Sequence, residues 1–400
     1  MVFELFIVLL SMDYLNSLKN HKNALIVLVL FVVIFLVVFK FIFGFHPNND
    51  TEGYIYSIQF FRGEFPDIYP NRYLNPFYPL IAAKVLFFLP PASSLIVLNM
   101  VFYCGIAFLS YDLFRRVFRN TVIGLISSIL IVSSYPMVRY ALTQVQDMGG
   151  YFWFIATIYA SWRWYEDRHW QWITIAGICT AFGLLTKESG AMGALFFGVL
   201  VLLEITSLKN KLWSFTQFSI WPFVTLLINR MRGYDVGYNS YQWLVDNWRI
   251  YAEQNYTLFK WLGVNISTYN VILPFFLIGL YLIFKARNTP DKNINLFLFA
   301  SIPAGISYFA WPLFIGRTVF ISAWLVIPIA VYGGFTLVNS GGTKRLIVIA
   351  GLVLALLFPT TLQYTLRYAH VFKIYDDCNK KIVCSWNYFW ANRENISTER

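Results

Sequence analysis

The sequence predicts an all-α polytopic membrane protein with about eleven transmembrane helices and short interfacial helices in its first outer loop. Three observations lead there. The 400 residues are 58% hydrophobic with mean hydropathy +0.57, above the roughly 45–50% apolar content of soluble domains. Charged residues make up only 13%. Apolar runs of the roughly 20 residues that cross a bilayer recur along the chain. Aromatics, at 20%, suit interfacial belts. The net charge of +11 fits positively charged inner loops and phosphate or anionic-lipid partners. No basic run is long enough to suggest nucleic-acid binding.

The spans fall at about 24–44, 93–113, 120–140, 147–165, 170–186, 189–206, 212–229, 266–286, 293–313, 318–339 and 345–365. Phe3 to Leu10 is apolar but too short to span, and is read as an interfacial segment rather than a cleavable leader. Lys19 and Lys22, Arg115, Arg116 and Arg119, Arg163 and Arg168, Lys209 and Lys211, Lys285, Arg287 and Lys292, and Lys344 and Arg345 all fall in short loops on one side. That side is cytoplasmic by the positive-inside rule, which puts the N-terminus inside. The sequons at Asn49, Asn255, Asn265 and Asn395 then all lie outside.

The organisation is one membrane domain, 1–365, with outer loops at 45–90 and 230–265, followed by an extracytoplasmic tail, 366–400. The large polar pieces are all outside, so the working surface is placed there. Cys104 and Cys179 sit in apolar runs, whereas Cys378 and Cys384 could pair in an oxidising tail. There is no Gly-rich phosphate loop, HExxH, CxxC or internal repeat. No residue is assigned to a metal, no cofactor is assigned, and a divalent-ion requirement stays open.

The polar segment after the first span holds most of the candidate chemistry. Asp50-Thr-Glu-Gly-Tyr54 opens a short interfacial helix. Asp50 can be a helix cap, a reactive carboxylate, or both. Arg62 lies beside Gly63 and Glu64 in what reads as a solvated part of the loop. Arg72-Tyr-Leu-Asn-Pro-Phe-Tyr-Pro79 follows, its prolines fixing a bend. Lys84 then snorkels to lipid phosphate or binds a ligand phosphate. The stretch from Arg230 to Gly263 is rich in Tyr and Trp. It suits sugar or isoprenoid contact, and equally an interfacial helix.

Those motifs, with Thr143-Gln-Val-Gln-Asp147 before the fourth span and Leu-Thr-Lys187-Glu188 between the fifth and sixth, resemble the GT-C superfamily of membrane glycosyltransferases. The likeness is to the group containing protein O-mannosyltransferases and the aminoarabinose transferase of lipid A. By motif it covers roughly the first 210 residues. One departure is that Thr51 separates Asp50 from Glu52, where many members have adjacent Asp and Glu.

The resemblance implies a sugar donor on a polyprenyl phosphate, a protein, lipid or glycan acceptor reached from outside, and direct, inverting displacement. A carboxylate then takes the acceptor proton and cations hold the departing lipid phosphate. Asp50 is the candidate base, preferred over Glu52 because it keeps the spacing to Tyr54. Asp147 orients it or the acceptor, or merely caps its span. Tyr54, Arg72, Lys84, Arg139, Lys187, Arg230, Arg232 and Arg317 are the candidate substrate-binding residues, and each cation taken alone also reads as an interfacial anchor. The competing expectations are a transporter or flippase of lipid-linked glycan and a non-catalytic membrane subunit. Few charges deep in the spans weigh against the transporter.

Overall fold

The computed structural model describes residues 20–42, 50–66, 68, 70–134, 136–142, 144–204, 207–235, 245, 246, 249, 269, 272–285, 292–307 and 320–339. The described residues form helices and connecting turns, with no strand among them. The helices are α1 (His21–Ile42), α2 (Thr51–Arg62), α3 (Pro70–Leu74), α4 (Phe77–Lys84), α5 (Pro91–Val117) and α6 (Thr121–Val132). Then follow α7 (Asp147–Asp167), α8 (Trp170–Thr186), α9 (Glu188–Ala191), α10 (Gly193–Leu203) and α11 (Leu208–Asp235). The last are α12 (Ile272–Lys285), α13 (Lys292–Ile306) and α14 (Phe320–Asn339). Three, at His21–Lys40, Pro91–Val117 and Phe320–Val338, are long and apolar enough to cross a membrane unaided, and five shorter apolar helices accompany them. The protein is an integral membrane protein. The predicted eleventh span, the tail with Cys378 and Cys384, the asparagines of the four sequons and most of the aromatic 230–265 loop lie outside the described residues.

Local chemistry sets the helix ends. Pro91 opens α5 at a position where its missing N–H costs nothing. Asn120 caps α6 through its side-chain oxygen, which accepts from the N–H groups of Val122 and Ile123. Gly63 ends α2 at φ +82°, with its N–H on Phe60 O and that of Glu64 on Gln59 O. That is the paired closure a left-handed glycine allows.

Two predicted spans are broken. The span expected at about 120–140 stops helically at Val132. The hydroxyls of Ser133 and Ser134 turn back to Ile129 O and Ile131 O, and Pro136 supplies no N–H for a continuing helix. The chain then makes a π-helical turn at Met137–Ala141, and Met137, Val138, Ala141, Leu142, Val145 and Gln146 are buried before α7 begins at Asp147. The span expected at about 189–206 divides at Met192 into α9 and α10.

α7 lies at the centre, packed against α5, α8, α9 and α10. Around Trp324 of α14 gather Phe114 of α5 (5.7 Å between ring centroids), Phe154 of α7 (5.6 Å) and Phe297 of α13 (5.3 Å). Trp162, one face further along α7, meets Phe297 edge-on at 5.5 Å. α1 packs on α5 and α6, and α11 on α8. α11 keeps Trp213, Phe223 and Ile228 outward, as a lipid-facing helix does. α2, α3 and α4 form a cap beside the start of α5, over the end of the bundle where α7 begins.

Candidate functional site

Asp50 directly precedes α2, but it does not cap it. Its backbone is already helical (φ −86°, ψ −10°) and its side chain makes no capping bond, because a cap oxygen reaches back only from an extended backbone. Instead, Asp50 Oδ1 lies 3.6 Å from Arg72 Nη2. The guanidinium of Arg72 sits 3.8 Å from the centre of the Tyr54 ring and donates to its hydroxyl. Residues four apart share a helix face, so Asp50 and Tyr54 both meet the arginine of α3. Glu52 turns elsewhere, accepting from Tyr56 Oη at 2.7 Å on the exposed side.

Buried Thr51 ties this cluster to the broken segment before α7, donating from Oγ1 to Gln144 O at 3.0 Å. A second tie runs through α4. Tyr78 is wholly buried and donates to Asn99 Oδ1 on α5, while Asn99 Nδ2 donates to Val145 O at 3.0 Å. Burial, with smaller contributions from neighbouring Tyr54 and Asp147, pushes the Tyr78 phenol well above its ordinary range. It therefore stays a neutral donor. Gly149 makes this packing possible, since a Cβ there would lie 2.7 Å from the Tyr78 ring.

Asp147, the first residue of α7, is held by Lys187 Nζ at 2.5 Å. Lys187 lies between α8 and α9 on an extended backbone (φ −163°, ψ 143°). The expected alternative of Asp147 as a simple cap is corrected: Gln146 is the cap position, and Asp147 pairs with Lys187. Side-chain exposure separates the two aspartates. Asp50 is 40% exposed and can meet an acceptor, whereas Asp147 is 3% exposed and cannot without rearrangement.

The fold thus gathers Asp50, Tyr54 and Arg72, and joins them through Thr51 and Tyr78 to Asp147 and Lys187. Arg232 reaches the rim from α11, 4.3 Å over the ring of Tyr73. Glu52, Lys84 and Arg230 are exposed outside this cluster. The side chain of Arg139 and all of Arg317 lie outside the described residues. Arg62 is not solvated as expected. It donates to Leu86 O at 3.2 Å and Leu89 O at 2.8 Å and is 11% exposed, so it fastens the turn after α4. Thr51, Tyr78, Asn99 and Gln144 were not singled out from sequence. Asn99 alone left a signal, as an amide inside the apolar run Leu-Ile-Val-Leu-Asn-Met-Val-Phe. Among the described residues, no group of three His, Cys, Asp or Glu side chains is placed to hold a metal.

Residues 79–228 match the family described as dolichyl-phosphate-mannose-protein mannosyltransferase. The match includes Asp147 and Lys187 and begins after Asp50. The crystal structure of the Archaeoglobus fulgidus oligosaccharyltransferase in the apo form is similar with a TM-score of 0.57 at 14% identity. That comparison covers 86% of this chain and 55% of the archaeal one. The same protein tethered with an acceptor peptide containing the NVT sequon gives 0.54 at 15% identity, covering 86% and 54%. This chain therefore spans about half the length of those structures. No curated protein matches it. The family match covers less than half of the chain, and the likeness to the archaeal structures is one of fold, the GT-C-like helical fold that the sequence motifs resemble.

Proposed function

We propose that this GT-C-fold chain is a membrane glycosyltransferase that moves a sugar from a polyprenyl-phosphate donor to an acceptor hydroxyl on the extracytoplasmic side. Asp50 takes the proton of the acceptor hydroxyl. The acceptor oxygen bonds to the anomeric carbon as the bond from that carbon to the phosphate oxygen breaks. The electron pair leaves with the lipid phosphate, and the anomeric centre inverts. Arg72 orients Asp50. Lys187, set by Asp147, and Arg232 face the departing phosphate, with Arg139 and Arg317 as further proposed holders. Tyr54 was expected to bind substrate, but it is buried under the Arg72 guanidinium and accepts from it, so its role is to hold Arg72 in place. The family description names a protein acceptor, so a protein hydroxyl is the first acceptor to test.

The observation that carries this reading is the pairing of an accessible carboxylate with Arg72, next to the buried Asp147–Lys187 pair. The orientation belongs to the same proposal: N-terminus cytoplasmic, Asp50 outside.

The test is transfer by purified protein from a labelled polyprenyl-phosphate sugar. Asp50→Asn should fold, bind donor and lose about a hundredfold or more in transfer rate, with Glu52→Gln milder. Asp50→Glu should recover only part, because its carboxylate shifts by a methylene. Normal transfer by Asp50→Asn with none by Glu52→Gln moves the base to Glu52. Normal transfer by both removes the loop from the chemistry.

A further inference from the structure

At the far end of α7 from Asp50, about 30 Å along the helix, lies a polar cavity of about 710 Å³. Its cations are Arg115, Arg116, Arg119 and Arg168, and its anions Glu166 and Asp167. The anions are already engaged. Glu166 accepts from Arg116 Nη1 at 3.1 Å and Asp167 from Arg163 at 2.5 Å. Behind the cavity, Asp112 accepts from Arg115 at 2.6 Å and Arg116 at 2.7 Å, and Glu204 pairs with Arg168. Arg119 is in none of the ion pairs among the described residues. Arg115 and Arg116 each keep one guanidinium nitrogen outside these bonds. Thr121, Tyr165 and Asn293 add hydroxyl and amide groups to the wall.

The backbone gives an independent sign. Arg119 sits at φ +49° just beyond α5, with its N–H on Arg116 O and that of Asn120 on Arg115 O. This closure ordinarily takes glycine. A long cation at a left-handed position is a local backbone cost with no packing return, since Arg119 is exposed.

We propose that this cavity binds a phosphate group, and that the phosphate belongs to the headgroup of an anionic phospholipid at the membrane surface opposite the Asp50 cluster. Basic pockets between transmembrane helices hold such headgroups, and this volume suits one. The inference does not depend on the proposed transferase activity.

The test measures thermal stabilisation of the full-length protein in mixed micelles. Phosphatidylglycerol is titrated against phosphatidylcholine, with soluble glycerol phosphate as a separate arm. Phosphatidylglycerol should stabilise the wild type and phosphatidylcholine should not. Arg119→Asn, which accepts the left-handed backbone, should keep its lipid-free midpoint. It should need about five times more phosphatidylglycerol for half the effect, the factor one such charge supplies at an anionic surface. Arg119→Lys should stay near wild type. Equal stabilisation by glycerol phosphate would assign the cavity to a soluble phosphate and overturn the lipid source. The same phosphatidylglycerol dependence in wild type and Arg119→Asn would overturn the site.

Discussion

The two ends of α7 both carry charged residues but arrange them differently. At the Asp167 end, Asp112, Glu166 and Asp167 each accept from guanidinium groups at 2.5 to 3.1 Å, and Tyr159 adds a hydroxyl to Asp112 at 2.9 Å. At the Asp147 end, among the described residues, Asp147 pairs tightly with Lys187 and Asp50 lies looser, 3.6 Å from Arg72. A carboxylate whose oxygens are filled by charge-assisted bonds is a poor proton acceptor. Asp50 is 40% exposed and lies 3.6 Å from its arginine, so its carboxylate is held less tightly than those at the Asp167 end. The Asp167 end is thus the more tightly cross-linked of the two.

Asp147→Ala gives the largest expected effect. It leaves Lys187 as a largely buried charge without its partner and should destabilise the protein by about 3–5 kcal/mol. The thermal midpoint in detergent reads this, and an unchanged midpoint would make the pair dispensable. Next comes a crossed pair of substitutions. Asp112→Asn should cost about 2–3 kcal/mol of stability, as a hub of charge-assisted hydrogen bonds, yet leave transfer per folded molecule near normal. Asp50→Asn should do the reverse, keeping stability while losing at least about 2.7 kcal/mol of barrier lowering, the equivalent of a hundredfold in rate. If both variants lose the same property, the contrast between the two ends collapses.

Smaller effects sharpen the picture. Arg62→Ala removes two hydrogen bonds to the turn after α4 and should cost about 1–2 kcal/mol while leaving donor concentration dependence unchanged. A raised donor requirement would make Arg62 a ligand instead of a fastener. Arg116→Gln should cost about 1 kcal/mol, because Asp112 retains Arg115 and Tyr159 while Glu166 loses its guanidinium bond at a partly solvated position. A larger loss would mean that the inner network acts as one cooperative unit.

Much of the fold was legible because hydropathy is local. The run Ala24 to Ile42 could only be a helix in lipid, and α8 spans Trp170–Thr186, the range read from its flanking charges and apolar run. The break after Val132 was less legible. Ser133, Ser134 and Pro136 were all visible in the sequence, yet the hydropathy window averages across them. Only the burial of Met137, Val138, Leu142 and Val145 in the interior makes the break necessary.

For the candidate site, the sequence by itself determined the residue types and their spacing: a carboxylate four residues before Tyr54, an arginine beyond a proline-rich bend, and an Asp and a Lys forty residues apart. These are properties of the chain alone. The tertiary structure decided the pairings. Asp50 faces Arg72 rather than its own helix end, Glu52 faces Tyr56, and Asp147 meets Lys187 across two helices. Such partners are set by how α2, α3, α7 and α8 pack, through Thr51, Asn99 and the missing side chain of Gly149. The physical reason is range. Hydropathy and helix capping act over a few residues, whereas a charge buried between helices takes whichever partner the packed core brings within about 4 Å.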